Sequence, residues 1–318
     1  MISVKRLSLF HLAMLLAVGC AGHAFAQQPP LAIKPIRPSQ KASVMQTIGV
    51  TDITITYSRP AVKGRTIFAD APASMEERAK GEATLDNQNE RKPGEPIVPY
   101  NHVWRAGANE ATMFQVTDDV LINGQPLKAG TYSMHTVPGK DEWTIIFNSD
   151  AGQWGSFTYD NKKDVLRVKT KPQPVSDNQE WLMYSFDPVT DTSAQVNIRW
   201  EKLRVPFTVE VKDVKALWRA HADALIAANP NNEVLPLQVA STYARDKNWD
   251  EALKFVNQSI KVKETFQNLS TKANILWGAG KKEEALTVAD AAIAKGKADK
   301  ANTAAFEKRV ADMRAGKL

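Results

Sequence analysis

Seven consecutive residues, Trp104-Arg105-Ala106-Gly107-Ala108-Asn109-Glu110, place an indole, a guanidinium, an amide and a carboxylate among three small residues. Neither a plain strand nor a plain helix needs that mixture. Burying charge costs desolvation, so a buried guanidinium and carboxylate must answer each other or a ligand. The spacing predicts an ion pair between Arg105 and Glu110, with Asn109 satisfying backbone groups. A second stretch, Tyr57-Ser58-Arg59-Pro60-Ala61-Val62-Lys63-Gly64-Arg65, sets three cations within seven residues directly after a strand-like run. Guanidinium offers a planar fork of donors, and Gly64 lets backbone come close, so such a turn could hold an anion. The competing reading pairs these cations with acids such as Glu110 and Glu201. The candidate ligand-binding set is therefore Arg59, Lys63, Arg65, Trp104, Arg105, Asn109 and Glu110, for a small anionic or polar ligand.

Other chemistry has less to stand on. Beyond the first 26 residues the histidines are His102, His135 and His221, none in a metal-spaced pair. Ser58 has no Gly-x-Ser-x-Gly elbow around it, and no phosphate or dinucleotide glycine pattern occurs. No metal site, cofactor or catalytic set is assigned. The enzymatic alternative is a hydrolase using Glu110, Asp164 or a histidine as acid or base. A structural envelope component is a third reading; it calls for a large exposed apolar patch. Trp104, Trp143, Trp154, Trp181 and Trp200 fit the bulky core of a sandwich better than a sugar-binding groove.

These residues need a scaffold, and from about Lys41 to Lys212 the signals are β. Ile53, Ile55 and Tyr57 alternate with polar residues until Arg59-Pro60 stops the strand. Thr112–Val116 is a strand. Val120–Ile122 and Gln125–Leu127 flank Asn123-Gly124, a two-residue hairpin signal. Thr131–Val137 and Glu142–Asn148 flank Pro138-Gly139-Lys140-Asp141. Val165–Lys169, Trp181–Phe186, Ala194–Trp200 and Val205–Val211 complete about nine strands, a pattern of an antiparallel sandwich or barrel, and the fold expected here is the β-sandwich. Residues 70–96, poor in large apolar side chains, are expected to be a surface insertion with a short helix near Ser74–Lys80.

From 213 to 318 helical periodicity takes over. Val214, Leu217, Trp218, His221 and Leu225 share one face. Ala240 and Ala273, and again Ala252 and Ala285, lie 33 residues apart, close to the roughly 34-residue tetratricopeptide period. An all-α, tetratricopeptide-like tail follows, capped by a helix around Phe306, Val310 and Met313, whose groove would engage a protein or peptide.

The chain has 318 residues, enough for two domains. Lys5 and Arg6 precede an apolar run from Leu7 to Val18, and Ala24-Phe25-Ala26 makes a small-x-small cleavage site. This reads as a signal peptide over 1–26, followed by an extended, Pro-rich leader over 27–40, and places the protein in the periplasm or outside the cell. Lipoprotein processing at Cys20 is the alternative, but the usual Leu is absent three residues before it. Cleavage after Ala26 removes Cys20 and leaves no cysteine, which excludes disulfides and thiol catalysis. Loss of Lys5 and Arg6 leaves 39 basic and 35 acidic residues, net +4, with no basic run interleaved with aromatics. Nucleic-acid binding has no support, and no later apolar run is long enough for a transmembrane segment.

Several of these motifs also carry a resemblance. Tyr57-x-Arg59-Pro60-x-x-Lys63-Gly64-Arg65, Val98-Pro99-Tyr100, Trp104-Arg105-x-Gly107-Ala108-Asn109-Glu110, Ala129-Gly130-Thr131-Tyr132, Glu142-Trp143-Thr144, Trp154-Gly155, Asp164-Val165-Leu166-Arg167-Val168 and Trp200-Glu201 resemble the bacterial exported family called domain of unknown function 2911. The resemblance covers roughly Lys41 to Val211. It implies an exported β domain, often joined to helical repeats, and no established activity. The stretch Asp70–Pro96 looks longer than the usual connection in that family.

Overall fold

The structure, a computed structural model, describes residues 36–78, 85–87 and 91–318. The expected signal peptide and most of the leader lie outside the described residues. In chain order the strands are β1 (Gln40–Ile48), β2 (Thr51–Arg59), β3 (Phe68–Ala69), β4 (Val98–Pro99), β5 (Thr112–Val116), β6 (Val120–Ile122), β7 (Gln125–Leu127), β8 (Gly130–Val137), β9 (Trp143–Asn148), β10 (Asp164–Thr170), β11 (Gln173–Val189) and β12 (Ser193–Glu210). A short helix α1 (Ala73–Arg78) lies between β3 and β4. Six more follow the strands: α2 (Val214–Ala228), α3 (Val234–Arg245), α4 (Trp249–Val262), α5 (Phe266–Gly278), α6 (Lys282–Ala298) and α7 (Ala304–Arg314).

One sheet runs β1-β2-β5-β8-β9-β10, and a second runs β11-β12-β6-β7. Every pairing in these two sheets is antiparallel. β3 and β4 form a small parallel pair of their own. Alternation in β2, β5, β8 and β9 turns Ile53, Ile55, Phe114, Met134, Ile145 and Phe147 toward the second sheet, whose β11 and β12 contribute Leu182, Tyr184, Val196, Ile198 and Phe207 to the same core. Phe114 packs edge-on against Phe147 with ring centres 4.9 Å apart. The N-terminal region is thus an antiparallel sandwich and the C-terminal region is helical.

Several elements differ from the sequence reading, among them the short β3 and β4, which it lacks, and the longer β11. β1 was absent from that reading, because only one face of this edge strand is partly buried and Met45 stands on the exposed side. The segments expected as Ala194–Trp200 and Val205–Val211 are one strand, β12. It runs through residues 201–204 by letting Glu201 adopt φ 51°, while β11 opposite shifts register between Pro174 and Gln179. Residues 70–96 are only partly superficial: Met75, Leu85 and Asp86 are buried, and α1 begins at Ala73.

The helices pair through short turns, α3 with α4 and α5 with α6. Ala240, Ala252, Ala273 and Ala285 are fully buried, where small side chains let the helices approach closely. Asp213, Asn248 and Thr265 cap α2, α4 and α5 with side-chain hydrogen bonds to backbone N–H groups. From Pro38 to Leu318 strands and helices form one compact unit. Val214 and Leu217 of α2 pack on the sandwich core, and His221 Nε2 lies 2.6 Å from Asp118 Oδ1. Among the described residues, no helix is long and apolar enough to cross a membrane.

Candidate functional site

The Trp104–Glu110 stretch is a corner, and its small residues are what allow it. Ala106 and Asn109 take left-handed backbone conformations, with φ 52° and 60°. A Cβ at Gly107 would lie 2.8 Å from Thr112 Oγ1, so no larger residue fits without displacement. Thr136 on β8 exchanges both backbone hydrogen bonds with Trp104. The Tyr184 hydroxyl donates to the Ala106 carbonyl at 2.7 Å, and the Tyr184 N–H donates to the Tyr57 hydroxyl. Adjacent residues of an extended chain face opposite sides. Trp104 accordingly enters the core and Arg105 turns to the outer face of the six-stranded sheet.

On the outer face lies a sealed polar layer. Asp86, from a single 3-10 turn at Leu85–Asn87, accepts on Oδ2 from the Arg105 backbone N–H, from Arg105 Nε at 2.7 Å, and from Ser156 Oγ. The Arg105 guanidinium also donates to the carbonyls of Asp86 and Asn109. The pairing predicted with Glu110 thus runs to Asp86, in the segment expected to be surface. Gly155, at φ 63°, leaves room for the guanidinium: a Cβ there would lie 2.8 Å from Cζ. Ser156 continues the network to Nδ1 of His135, whose Nε2 meets Ser133 Oγ, both at 3.2 Å. Gln153 then bridges Ser133 to Asn148, and Asn148 donates to Asp164, which also accepts from the Tyr159 hydroxyl and Arg167. Burial lowers the pKa of His135 to about 4, outweighing Asp86 and Asp164, which pull it upward. The imidazole is neutral at pH 7.

A serine beside a histidine is the start of a nucleophile–base pair. Here Ser133, His135 and Ser156 are fully buried, and the Ser156 hydroxyl is already shared with Asp86. Among the described residues these hydroxyls and the imidazole bond one another and Asp86, which leaves Ser156 engaged rather than poised as a nucleophile. Asp164, an acid–base candidate from the sequence, is likewise engaged. His102 pairs with Glu76 at 2.8 Å and His221 with Asp118. Among the described residues, no three His, Cys, Asp or Glu side chains gather to hold a metal ion.

The Tyr57–Arg65 stretch clips the end of β2 onto β11. Arg59 Nε donates to the Leu182 carbonyl at 2.8 Å, the Val62 and Lys63 N–H groups bond Glu180, and Arg65 folds back on the Val62 and Ala61 carbonyls. The two motifs touch through their backbones, Ala108 N–H to the Ser58 carbonyl at 3.3 Å. Their guanidinium groups, however, go to separate acceptors. Trp104 is buried, and Glu110 borders a pocket of about 100 Å³ with Lys41 and Ser58.

On the core side of the corner the side chains are aromatic, and the surface above them is open. Trp104 stacks on Trp200 with ring centres 5.8 Å apart, and Phe68 meets Trp104, Trp143 and Trp200 edge-on. Phe68 also borders a cleft of about 410 Å³ with Tyr100, Asn178, Glu201, Lys202 and Leu203. The β3–β4 pair holds two walls in place, since Tyr100 N–H bonds the Ala69 carbonyl. The left-handed break at Glu201 and the irregular pairing of β11 opposite supply the others. Burial raises the pKa of Glu201. Burial also raises that of Tyr100, aided by Asp70 and Glu201 and opposed by Lys140. Among the described residues, the side chains of Tyr100, Asn178 and Glu201 make no hydrogen bond to protein. The sequence reading quoted Val98-Pro99-Tyr100 and Trp200-Glu201 only as part of a resemblance. Their meeting depends on a fold that joins segments about a hundred residues apart.

Fold and corner together define an antiparallel sandwich with a sealed polar layer, an aromatic core and a helical C-terminal region. The family model described as protein of unknown function (DUF2911) matches residues 39–80 and 85–209, more than half of the chain, and the protein belongs to that family. The match runs through most of 70–96, so this segment is largely family sequence. No curated protein matches the chain.

Proposed function

We propose that the protein is an exported, periplasmic binding module that holds a small polar ligand in the Phe68–Tyr100–Glu201 cleft. The observation that carries this reading is chemical. A half-buried carboxylate and a half-buried phenol, neither hydrogen-bonded to protein, share an open cleft with an aromatic ring. Polar groups taken out of water need partners, and a ligand supplies them. The set Arg59, Lys63, Arg65, Arg105 and Asn109 serves this site as framework, fixing the corner from which Trp104 supports Phe68. Export is supported by Lys5-Arg6, the apolar Leu7–Val18 run and the Ala24–Ala26 cleavage motif. A tetratricopeptide-like reading of the tail, with a protein or peptide as its partner, is supported by the 33-residue recurrence of buried alanines and by an apolar groove of about 370 Å³ between α2 and α3.

The test is a thermal-shift screen of the mature protein against sugars, amines, anions and peptides. A ligand that binds only the native state raises the melting temperature, and Glu201→Gln should abolish that rise. A screen in which no compound distinguishes wild type from Glu201→Gln would sink the cleft reading. An enzymatic reading has one specific observation behind it, the raised pKa of Glu201, suited to an acid or base. It requires turnover that Glu201→Gln removes while binding persists.

A further inference from the structure

The cleft has enough chemical character to name what it would take. We propose that it recognises an organic ammonium group, seated between the aromatic walls Phe68 and Tyr100 and the carboxylate of Glu201. This rests on the reading of the cleft as the binding site. Of the acids around it, Asp70 is paired with Lys140 at 2.7 Å and Glu142 with Lys169 at 2.9 Å. Among the described residues, Glu201 makes no ion pair and no side-chain hydrogen bond. It is half-buried, so its charge is poorly solvated and gains most from a cation brought to it. Lys202 is exposed at the rim, where water screens its charge. The backbone at Glu201 is held at φ 51°, a conformation uncommon outside glycine. Strained backbone persists where the surroundings enforce it and often marks a functional position. Here it sets Glu201 at the cleft. Aromatic residues lining a cleft with a carboxylate suit an ammonium group, because a ring quadrupole attracts a cation that is weakly hydrated. A carboxylate or phosphate ligand would meet Glu201 as a like charge, and a plain apolar ligand would leave it buried and unanswered.

The experiment is calorimetric titration of the mature protein with choline and with its neutral isostere 3,3-dimethylbutan-1-ol, on wild type and on Glu201→Gln. Acetate and glucose serve as further probes, and thermal melts verify that the variant is folded. Choline should bind at least about tenfold more tightly than the neutral alcohol, and Glu201→Gln should erase that preference. Equal affinity for the two isosteres, or unchanged choline affinity in folded Glu201→Gln, overturns the ammonium assignment. Binding of acetate or glucose alone, dependent on Glu201, overturns it while leaving the cleft as the site. No binding by any of the four probes counts against the ammonium class, and the wider screen then decides the fate of the cleft. Phe68→Leu is a second check. It keeps an apolar side chain over the tryptophans and should weaken choline more than the alcohol.

Discussion

The two sides of the Trp104–Glu110 corner use similar polar residues to opposite ends. On the outer face, Asp86, Arg105, Ser156, His135 and Ser133 are buried and bonded to one another. Near the aromatic side, Tyr100 and Glu201 are half-buried, and among the described residues their side chains make no hydrogen bond to protein. The difference lies in what closes over them: the 149–163 segment and the turn at Leu85–Asn87 cover the first set, while β3, β4 and the irregular β11–β12 pairing leave the second open. The charge of a residue therefore says less about its role than whether the fold has already answered it. Arg105 has the side chain of a ligand clamp and acts as an internal strut.

The largest expected effect breaks the sealed side. Arg105→Ala removes the guanidinium that Asp86 Oδ2 accepts from at 2.7 Å and should cost about 3–5 kcal/mol in chemical denaturation. Asp86→Ala combined with Arg105→Ala should cost less than the sum of the two single changes, since they act on one pair. A midpoint unmoved by Arg105→Ala would show that the layer is not closed.

Acid should open the same side. His135 takes up a proton near pH 6.5 when unfolded but only near pH 4 when folded. Below 6.5 the unfolded state binds a proton that the native state refuses. Stability contributed by the neutral ring is therefore complete above 6.5 and falls as pH drops toward 4, by up to about 1.4 kcal/mol per pH unit. His135→Gln should flatten that part of the stability–pH curve, measured by urea denaturation across the window. An identical slope in both proteins would remove His135 as its source.

Gly155→Ala comes next. It places a Cβ 2.8 Å from Arg105 Cζ at a left-handed φ, and should destabilise by about 1–3 kcal/mol in the same assay. No loss would mean that the guanidinium can shift freely.

The smallest stability effect belongs to the open side. Burial disfavours ionised Glu201, so Glu201→Gln should raise the melting point slightly at pH 7 and leave it unchanged in acid, where the carboxylate is protonated. A destabilised variant would place Glu201 among the framework residues instead.

Legibility in the sequence followed the range of the interactions. Asn123-Gly124 identifies the β6–β7 hairpin because a two-residue turn is decided locally. Alternation identifies β2 and β5, and the alanine recurrence phases α3 to α6. β1 and the continuity of β12 were missed because partner strands, rather than their own side chains, define them. The corner was legible as an odd mixture of residues, but its partner was not. Asp86 sits 19 residues before Arg105 in a polar stretch that resembles surface. The cleft was illegible because Phe68, Tyr100, Asn178 and Glu201 share no local pattern at all.

Tyr184 bonds Ala106 across 78 positions and Tyr57 across 127. During synthesis Tyr57 and Ala106 exist well before β11 does, so the corner stays unclosed until that strand arrives. Contacts across such separations carry a large loop-closure cost and tend to form late. Substitutions that weaken the Tyr184 tie should then speed unfolding more than they slow folding. A late tie of the corner is thus made from β11, which itself enters the second sheet only once β12 has been made.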